Sequence, residues 1–300
     1  MICRVPHHPL VEPVVAWFDE NARDLPWRSP ARTPWGVLVS EVMLQQTPVA
    51  RVEPLWRAWM DRWPDPAALA QAGTADVLRA WDRLGYPRRA LRLQECARTV
   101  VERHAGLLPE DEAGLLALPG VGTYTAAAVR AFAYGRRSVV VDTNVRRVLA
   151  RALDGTALPA PSLSAAEMRR AAVVVPDDDA DAARWNAAAM ELGALVCTAR
   201  APRCTSCPVA HLCRWRQSGS PPDAVAGARR RQPWQGTDRQ LRGQVMAALR
   251  AAAGPVPALA LAAGWPDAVR DRVLAGLVAD GLAVRAPTTS PGSTTYRLPD

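Results

Sequence analysis

Through the first 216 residues apolar positions recur every three or four residues, the spacing of one face of an α-helix, and they almost nowhere alternate as in a half-buried strand. VEPVVAWFDENA, WGVLVSEVMLQQ, ARVEPLWRAWMDRW, TADVLRAWDRLG and RALRLQECARTVVERHAG read as helices punctuated by Pro and Gly. DEAGLLALPG, TYTAAAVRAFAYG, DTNVRRVLARALDG, SAAEMRRAAVVVP and DAARWNAAAMELGALVC continue the series. SVVVD fits a short strand and a buried segment feeding the next helix equally well. An all-α core is therefore expected to about residue 216, followed by a linker rich in Gly, Ser, Pro and Arg over 217–236. In 237–300, Thr237 can cap a helix through LRGQVMAALRAA, and a second helix fits PALALAAGW. A third carries Val269, Val273, Leu274, Leu277 and Val278 on one face, and LAVRA and TTYRL flank the turn-rich TTSPGS as a hairpin. The tail thus reads as a small winged-helix-like unit, a shape that by itself says little about function.

Three hundred residues suggest two or three folding units. All 37 basic side chains are arginine, since the chain contains no lysine, and against 29 carboxylates they give a net charge of +8. That balance favours a polyanionic partner, although a codon bias toward Ala, Arg, Gly and Pro would produce it too. RRRQPW in the linker can touch phosphate or simply be solvated. Six cysteines are too few for a disulfide scaffold of this length; four crowd between 197 and 213, and Cys3 and Cys96 read as bystanders. His7, His8, His104 and His211 show no ligand spacing. Without a long apolar run or the blocks of a signal peptide, the chain is expected to be soluble and cytoplasmic, with no membrane partner.

Three constellations carry chemistry. In LPGVGTYT, Gly120 and Gly122 bracket a tight turn with φ freedom, and the helix that follows offers its first N–H groups to a backbone phosphate. Two carboxylates stand in apolar runs, Glu41 in VLVSEVML and Asp142 after VVV. Such neighbours can raise a glutamate's pKa enough to hold a proton near neutrality. An ordinary helix carboxylate for Glu41, and an N-cap on TNVRRV for Asp142, are the plainer accounts. Cys197, Cys204, Cys207 and Cys213 follow C-x6-C-x2-C-x5-C, which four thiolates can close around a 4Fe-4S cluster or, as runner-up, a zinc ion; spacing alone does not separate the two. Four unrelated buried cysteines would be the alternative.

The hairpin LPGVGTYT, the aspartate of VDTNVRRVLAR and the cysteine spacing together resemble the helix-hairpin-helix DNA glycosylases of the endonuclease III superfamily. LPWR, VSEVMLQQTPV and NAAAMELGALVC resemble its adenine-removing, MutY-type branch, over roughly residues 10–216. The resemblance implies two lobes, a six-helix barrel over about 29–136 and a lobe from about 1–28 with 137–216, with DNA bound across their junction. It implies a monofunctional base-excision glycosylase acting, as a nucleoid-associated monomer, on duplex DNA with adenine opposite 8-oxoguanine or guanine. Glu41 would then protonate the departing adenine and help position water, Asp142 would stabilise the oxocarbenium-like sugar as an ionised carboxylate, and Tyr124 and Asn144 would support Asp142. Strand-cutting relatives carry a nucleophilic lysine at the Tyr124 position, an amine this chain lacks. By the same resemblance Gln45, Gln46 and Thr47 fill the duplex gap and line the base pocket, Tyr86 intercalates beside the opposing lesion, and Arg23, Trp27, Arg28 and Glu191 form the adenine pocket. Trp27 also fits a plain core aromatic. Pro87 departs from the commoner family form, and residues 237–300 are too short for the Nudix-like lesion-reading domain of most long members and contain no phenylalanine. Two rivals remain: a thymine or uracil mismatch glycosylase on the same scaffold, and a non-catalytic DNA-binding iron-sulfur protein.

Overall fold

The computed structural model describes residues 7–223, 234–287 and 294–300. In chain order the helices are α1 (Val11–Asn21), α2 (Pro34–Leu44), α3 (Val49–Arg62), α4 (Pro66–Gln71), α5 (Thr74–Trp81), α6 (Arg88–His104), α7 (Glu112–Leu116), α8 (Thr123–Phe132), α9 (Thr143–Leu149), α10 (Ala165–Val174), α11 (Asp179–Leu195) and α12 (Arg214–Gln217). The tail adds α13 (Asp238–Ala251), α14 (Ala258–Leu261) and α15 (Asp267–Ala279). Many start as their sequences dictate: Asp65, Asp111, Asp142, Ser164, Asp178 and Thr237 each accept a backbone N–H from the first turn. Helix α4 was not anticipated, although Asp65 followed by Pro66 is a start signal of this kind. Among the described residues no helix is long and apolar enough to cross a membrane.

The chain divides into two compact units, one from Met1–Val37, Glu110–Ala117 and Val121–Arg230, the other from Leu38–Pro109, Leu118–Gly120 and Arg231–Asp300. In the first, α1, α9, α10 and α11 close around Val14, Val145, Val148, Trp185 and Leu192. SVVVD forms no strand there. Asn186, buried on α11, donates Nδ2 to the Ser138 carbonyl at 2.8 Å and accepts from the Val140 N–H at 3.4 Å, so a side chain serves where a neighbouring strand would. Helix α9 runs on into a π-type turn, Ala150–Asp154.

In the second unit Trp59 meets Trp63 and Trp81 edge-on, with centroids 4.6 and 5.6 Å apart. Gln94 of α6 donates to the Ala72 carbonyl at 2.7 Å and fixes the α4–α5 corner. The tail groups with Leu38–Pro109. Helix α13 packs on α5, Asp280 pairs with Arg88 at 3.3 Å as well as with Arg242, and a Cβ on Gly281 would lie 3.8 Å from Leu91. A linker composition at 217–236 shows where the chain leaves the core, but these long-range pairings decide where the tail goes. Strands β2 (Val284–Ala286) and β3 (Thr295–Arg297) pair antiparallel with Arg285 opposite Tyr296. A third strand, β1 (Val256–Pro257), lies on the other side of β3. It is two residues long and holds a proline that an edge strand tolerates, so it leaves no alternation to detect. The turn TTSPGS, Cys3 and the Arg229–Pro233 part of RRRQPW lie outside the described residues.

Candidate active site

Asp142 of the first unit is the N-cap of α9. Its Oδ1 accepts the backbone N–H groups of Asn144 and Val145 at 2.9 and 2.7 Å, and its Oδ2 accepts the Asn144 side-chain amide at 2.7 Å. The N-cap expected of Asp142 is therefore present, and the Asn144 side-chain amide adds a third donor to the same carboxylate. Burial pushes the Asp142 carboxyl up; the three hydrogen bonds and the charge of Arg147 oppose that shift without cancelling it. Tyr124 of α8 is half-buried against Ala128, Ala131 and Val140, two residues before Asp142.

Arg147 and Gly193 escaped the sequence reading, and both bear on Asn144. The Arg147 guanidinium donates to Asn144 Oδ1 at 2.7 Å, to the Gly193 carbonyl at 2.6 Å and to the Cys197 carbonyl at 2.5 Å. Gly193 lies inside α11 where a Cβ would stand 2.6 Å from the Asn144 Cβ and 2.8 Å from its carbonyl oxygen, so only glycine fits without a shift. A glycine in the middle of the helical pattern MELGAL was the available signal.

Arg23, Arg28 and Glu191 do come together. Arg23 gives Glu191 its backbone N–H at 3.0 Å and two guanidinium bonds at 2.7 Å each, and Arg28 adds a fourth bond at 3.0 Å. Burial pushes the Glu191 carboxyl up, but the Arg23 hydrogen bonds and the Arg28 charge outweigh it and bring it down to about 2. At 1% exposure Glu191 holds an internal ion-pair knot and has little left for a base. The buried Arg28 Nη1 has no hydrogen-bond partner among the described residues, and Trp27 is buried beside it in the chain.

In the second unit Glu41 is 5% exposed, within a stretch of α2 whose neighbours Val39, Ser40, Val42 and Met43 are buried as well. The chain then turns through Gln45, Gln46 and Thr47. Gln46 is exposed with φ +57°, and Thr47 is buried, donating to the Leu84 carbonyl at 3.1 Å. Tyr86 is likewise left-handed, at φ +46°. Arg89 joins the two loops: its guanidinium donates to the carbonyls of Val42 and Gln45 at 2.7 Å each and of Leu84 and Gly85 at 3.1 and 3.2 Å. Two exposed residues thus stand in a disfavoured conformation on loops that one guanidinium bridges.

The hairpin requires one correction. Only Gly120 uses a left-handed conformation, at φ +79°, where a Cβ would also meet the Arg92 Cβ at 3.0 Å. Gly122 caps α8 at φ −98° with open space around it, so the protein itself does not demand a glycine there.

The four thiols of 197–213 are unpaired by disulfides, and each of the other three acts on the charge of Cys207. Burial, the larger effect, with this mutual repulsion pushes the Cys207 thiol up to about 11. Arg151, only 3% exposed, donates to Cys197 Sγ at 3.3 Å and to the Thr198 and Ala199 carbonyls at 2.8 and 3.1 Å, and stacks 4.7 Å over Trp215. Four free thiols within one short segment, one of them accepting from Arg151, supply the soft donor set that an iron-sulfur cluster takes.

The HhH-GPD superfamily of base excision DNA repair proteins matches residues 39–171, and the iron-sulfur binding domain of endonuclease III matches 197–213. Over 271 residues, 90% of each chain, the sequence is 52% identical to an adenine DNA glycosylase of Mycolicibacterium smegmatis. It is 50% identical over 293 residues to an adenine DNA glycosylase of Mycobacterium tuberculosis, with 93% of this chain and 92% of that protein covered. The structure is similar to that of a thermostable thymine-DNA glycosylase, with a TM-score of 0.62 and 27% identity over 69% of this chain and 95% of the other.

Proposed function

Since the chain belongs to the adenine DNA glycosylases of the HhH-GPD superfamily, with an iron-sulfur binding segment at 197–213, we propose that it hydrolyses the N-glycosidic bond of adenine opposite 8-oxoguanine or guanine and leaves the strand uncut. The observation that carries this reading is the Asp142 carboxylate, half-buried and held by three donors at the head of α9. A sugar cation forming beside it meets a negative charge whose orientation is already set, so little reorganisation is needed as the bond breaks.

Glu41 supplies the complementary half. The bond between C1′ and the adenine nitrogen breaks with its electron pair leaving on the base, and a proton from Glu41 neutralises that charge. Water then adds to C1′ and gives up its proton, returning the carboxyl to its starting state. Burial of Glu41 in α2 keeps bulk water from competing for that proton. Tyr124, at the position of the lysine in strand-cutting relatives, offers no amine, and neither does any other side chain, so no Schiff base forms on one.

The cysteine quartet would hold a 4Fe-4S cluster, in preference to zinc, and the cluster would brace the loop that carries Arg200 and Arg203. The substrate is duplex DNA, and in this reading the enzyme acts on it as a monomer, in the cytoplasm at the nucleoid. Single-turnover assays on duplexes with A opposite 8-oxoguanine, A opposite G, and T opposite G test this. Adenine release from the first two, with strand breaks only after alkali, is the expected result; release of thymine alone would overturn it.

A further inference from the structure

Five side chains of the second unit alternate ring and guanidinium. The Arg89 guanidinium carbon lies 5.4 Å from the Trp81 ring and 5.5 Å from the Tyr86 ring, and that of Arg239 lies 5.6 Å from Tyr86 and 5.2 Å from Trp234. The series begins in the core at Trp81 and ends at the surface, where Tyr86 and Trp234 are 49% and 52% exposed. Arg89 is immobilised by five backbone carbonyls, so it is the fixed side of the Tyr86 ring. Arg239 comes from the second residue of α13, which Arg242, Asp280 and Arg88 tie to α6.

The tail's other candidate for contacting DNA is already committed. In a winged-helix-like unit α15 stands where a groove-reading helix would, yet Arg270 is paired with Asp267 and Asp271, and Arg272 with Asp238. What the tail adds to the exposed surface around Tyr86 is a guanidinium on a ring that already has a strained backbone.

We propose that Arg239 is a positioning residue for Tyr86, so that the tail fixes the aromatic ring that meets the purine opposite the excised adenine and sets how strongly that purine is distinguished. This rests on the reading of Tyr86 as the residue entering the duplex beside the opposing base. A ring held by stacked guanidinium groups presents its free portion in one orientation, and the preference for an oxidised over an ordinary purine is expressed through that orientation.

The test uses the full-length protein and its R239A, R239K, Y86L and R239A/Y86L variants, binding duplexes with a non-hydrolysable 2′-fluoro deoxyadenosine opposite 8-oxoguanine or G, and a fully paired duplex, at several salt concentrations. R239A should weaken binding opposite 8-oxoguanine roughly two- to fivefold, the span of one exposed cation–π contact, and leave the paired duplex unchanged. R239K should recover part of the loss, and R239A should cost nothing further in the Y86L background. Equal loss on all three duplexes, with the salt slope falling by about 1, would make Arg239 a phosphate contact and overturn the inference. So would independent effects of the two substitutions, or wild-type binding by R239A. Adenine release by the wild-type enzyme is measured alongside: no release refutes the proposed function, whereas release with an indifferent R239A refutes only the role of the tail.

Discussion

Replacing Gly193 by alanine separates the active-site geometry from the stability of the fold. The new Cβ would stand 2.6 Å from the Asn144 Cβ, short of ordinary contact by about 0.8 Å, and would press on the Asn144 carbonyl carbon and oxygen at 2.9 and 2.8 Å. No flexible side-chain end is available to yield, so α9 and α11 must part at this point. Overpacking of this kind costs about 1–3 kcal/mol, and alanine's helix propensity returns about 1 kcal/mol. Global stability therefore falls by about 0–2 kcal/mol, a melting shift of several degrees at most. Activity should suffer more. A displacement of that size breaks the 2.7 Å bond from Asn144 to Asp142, and misplacement by about 1 Å can cost 100-fold in rate. Single-turnover adenine excision with saturating enzyme, beside thermal unfolding of the same preparation, should show a fall of about 100-fold in a protein that remains folded. A wild-type rate in Gly193→Ala, or a loss no greater than its unfolded fraction, would refute the claim that Asn144 orients Asp142.

Three further outcomes follow from the site. In Asn144→Ala, loss of a donor that favours the ionised form moves the Asp142 pKa further up, so the acidic limb of the pH–rate profile shifts to higher pH and the rate falls about 10–100-fold; an unmoved limb would remove Asp142 from that limb. Glu191 has a folded pKa of about 2 against an ordinary 4.5, so its contribution of about 3 kcal/mol is complete above pH 4.5 and lost as pH falls through 2. Glu191→Gln should destabilise the protein by that order at pH 7 and by less than half as much at pH 3 in denaturant titrations, and an equal loss at both would contradict it. Gly122→Ala should leave the melting temperature within a few degrees but weaken duplex binding if a backbone phosphate approaches there, because its Cβ enters open space, whereas Gly120→Ala should lower stability itself; unchanged affinity in Gly122→Ala would argue against the phosphate grip.

What was legible in the sequence was local. Helical periodicity, the N-caps at Asp142 and Thr237 and the cysteine spacing each lie within a few residues, and each has a physical signature at that range. The features that escaped join distant segments. Arg89 reaches back 44 residues to Gln45, Arg151 reaches 46 residues to Cys197, and in an arginine-rich chain neither can be told from a solvated cation before the fold exists. The absence of a strand at SVVVD depended on Asn186, 48 residues from Ser138. The four hydrogen bonds that occupy the Glu191 carboxylate form only when Arg23 and Arg28, more than 160 residues earlier, have folded against it.

The cysteine segment owes much of its course to side chains outside the four thiols. Arg147 and Arg151 of α9 and its π-type extension take the carbonyls of Cys197, Thr198 and Ala199, and Arg203 takes that of Leu195. A ligand-bearing loop scaffolded in this way has a second support beside whatever its thiols hold. Loss of iron to an oxidant would then remove one of the two supports and leave the arginine ties to α9 and its extension as the other.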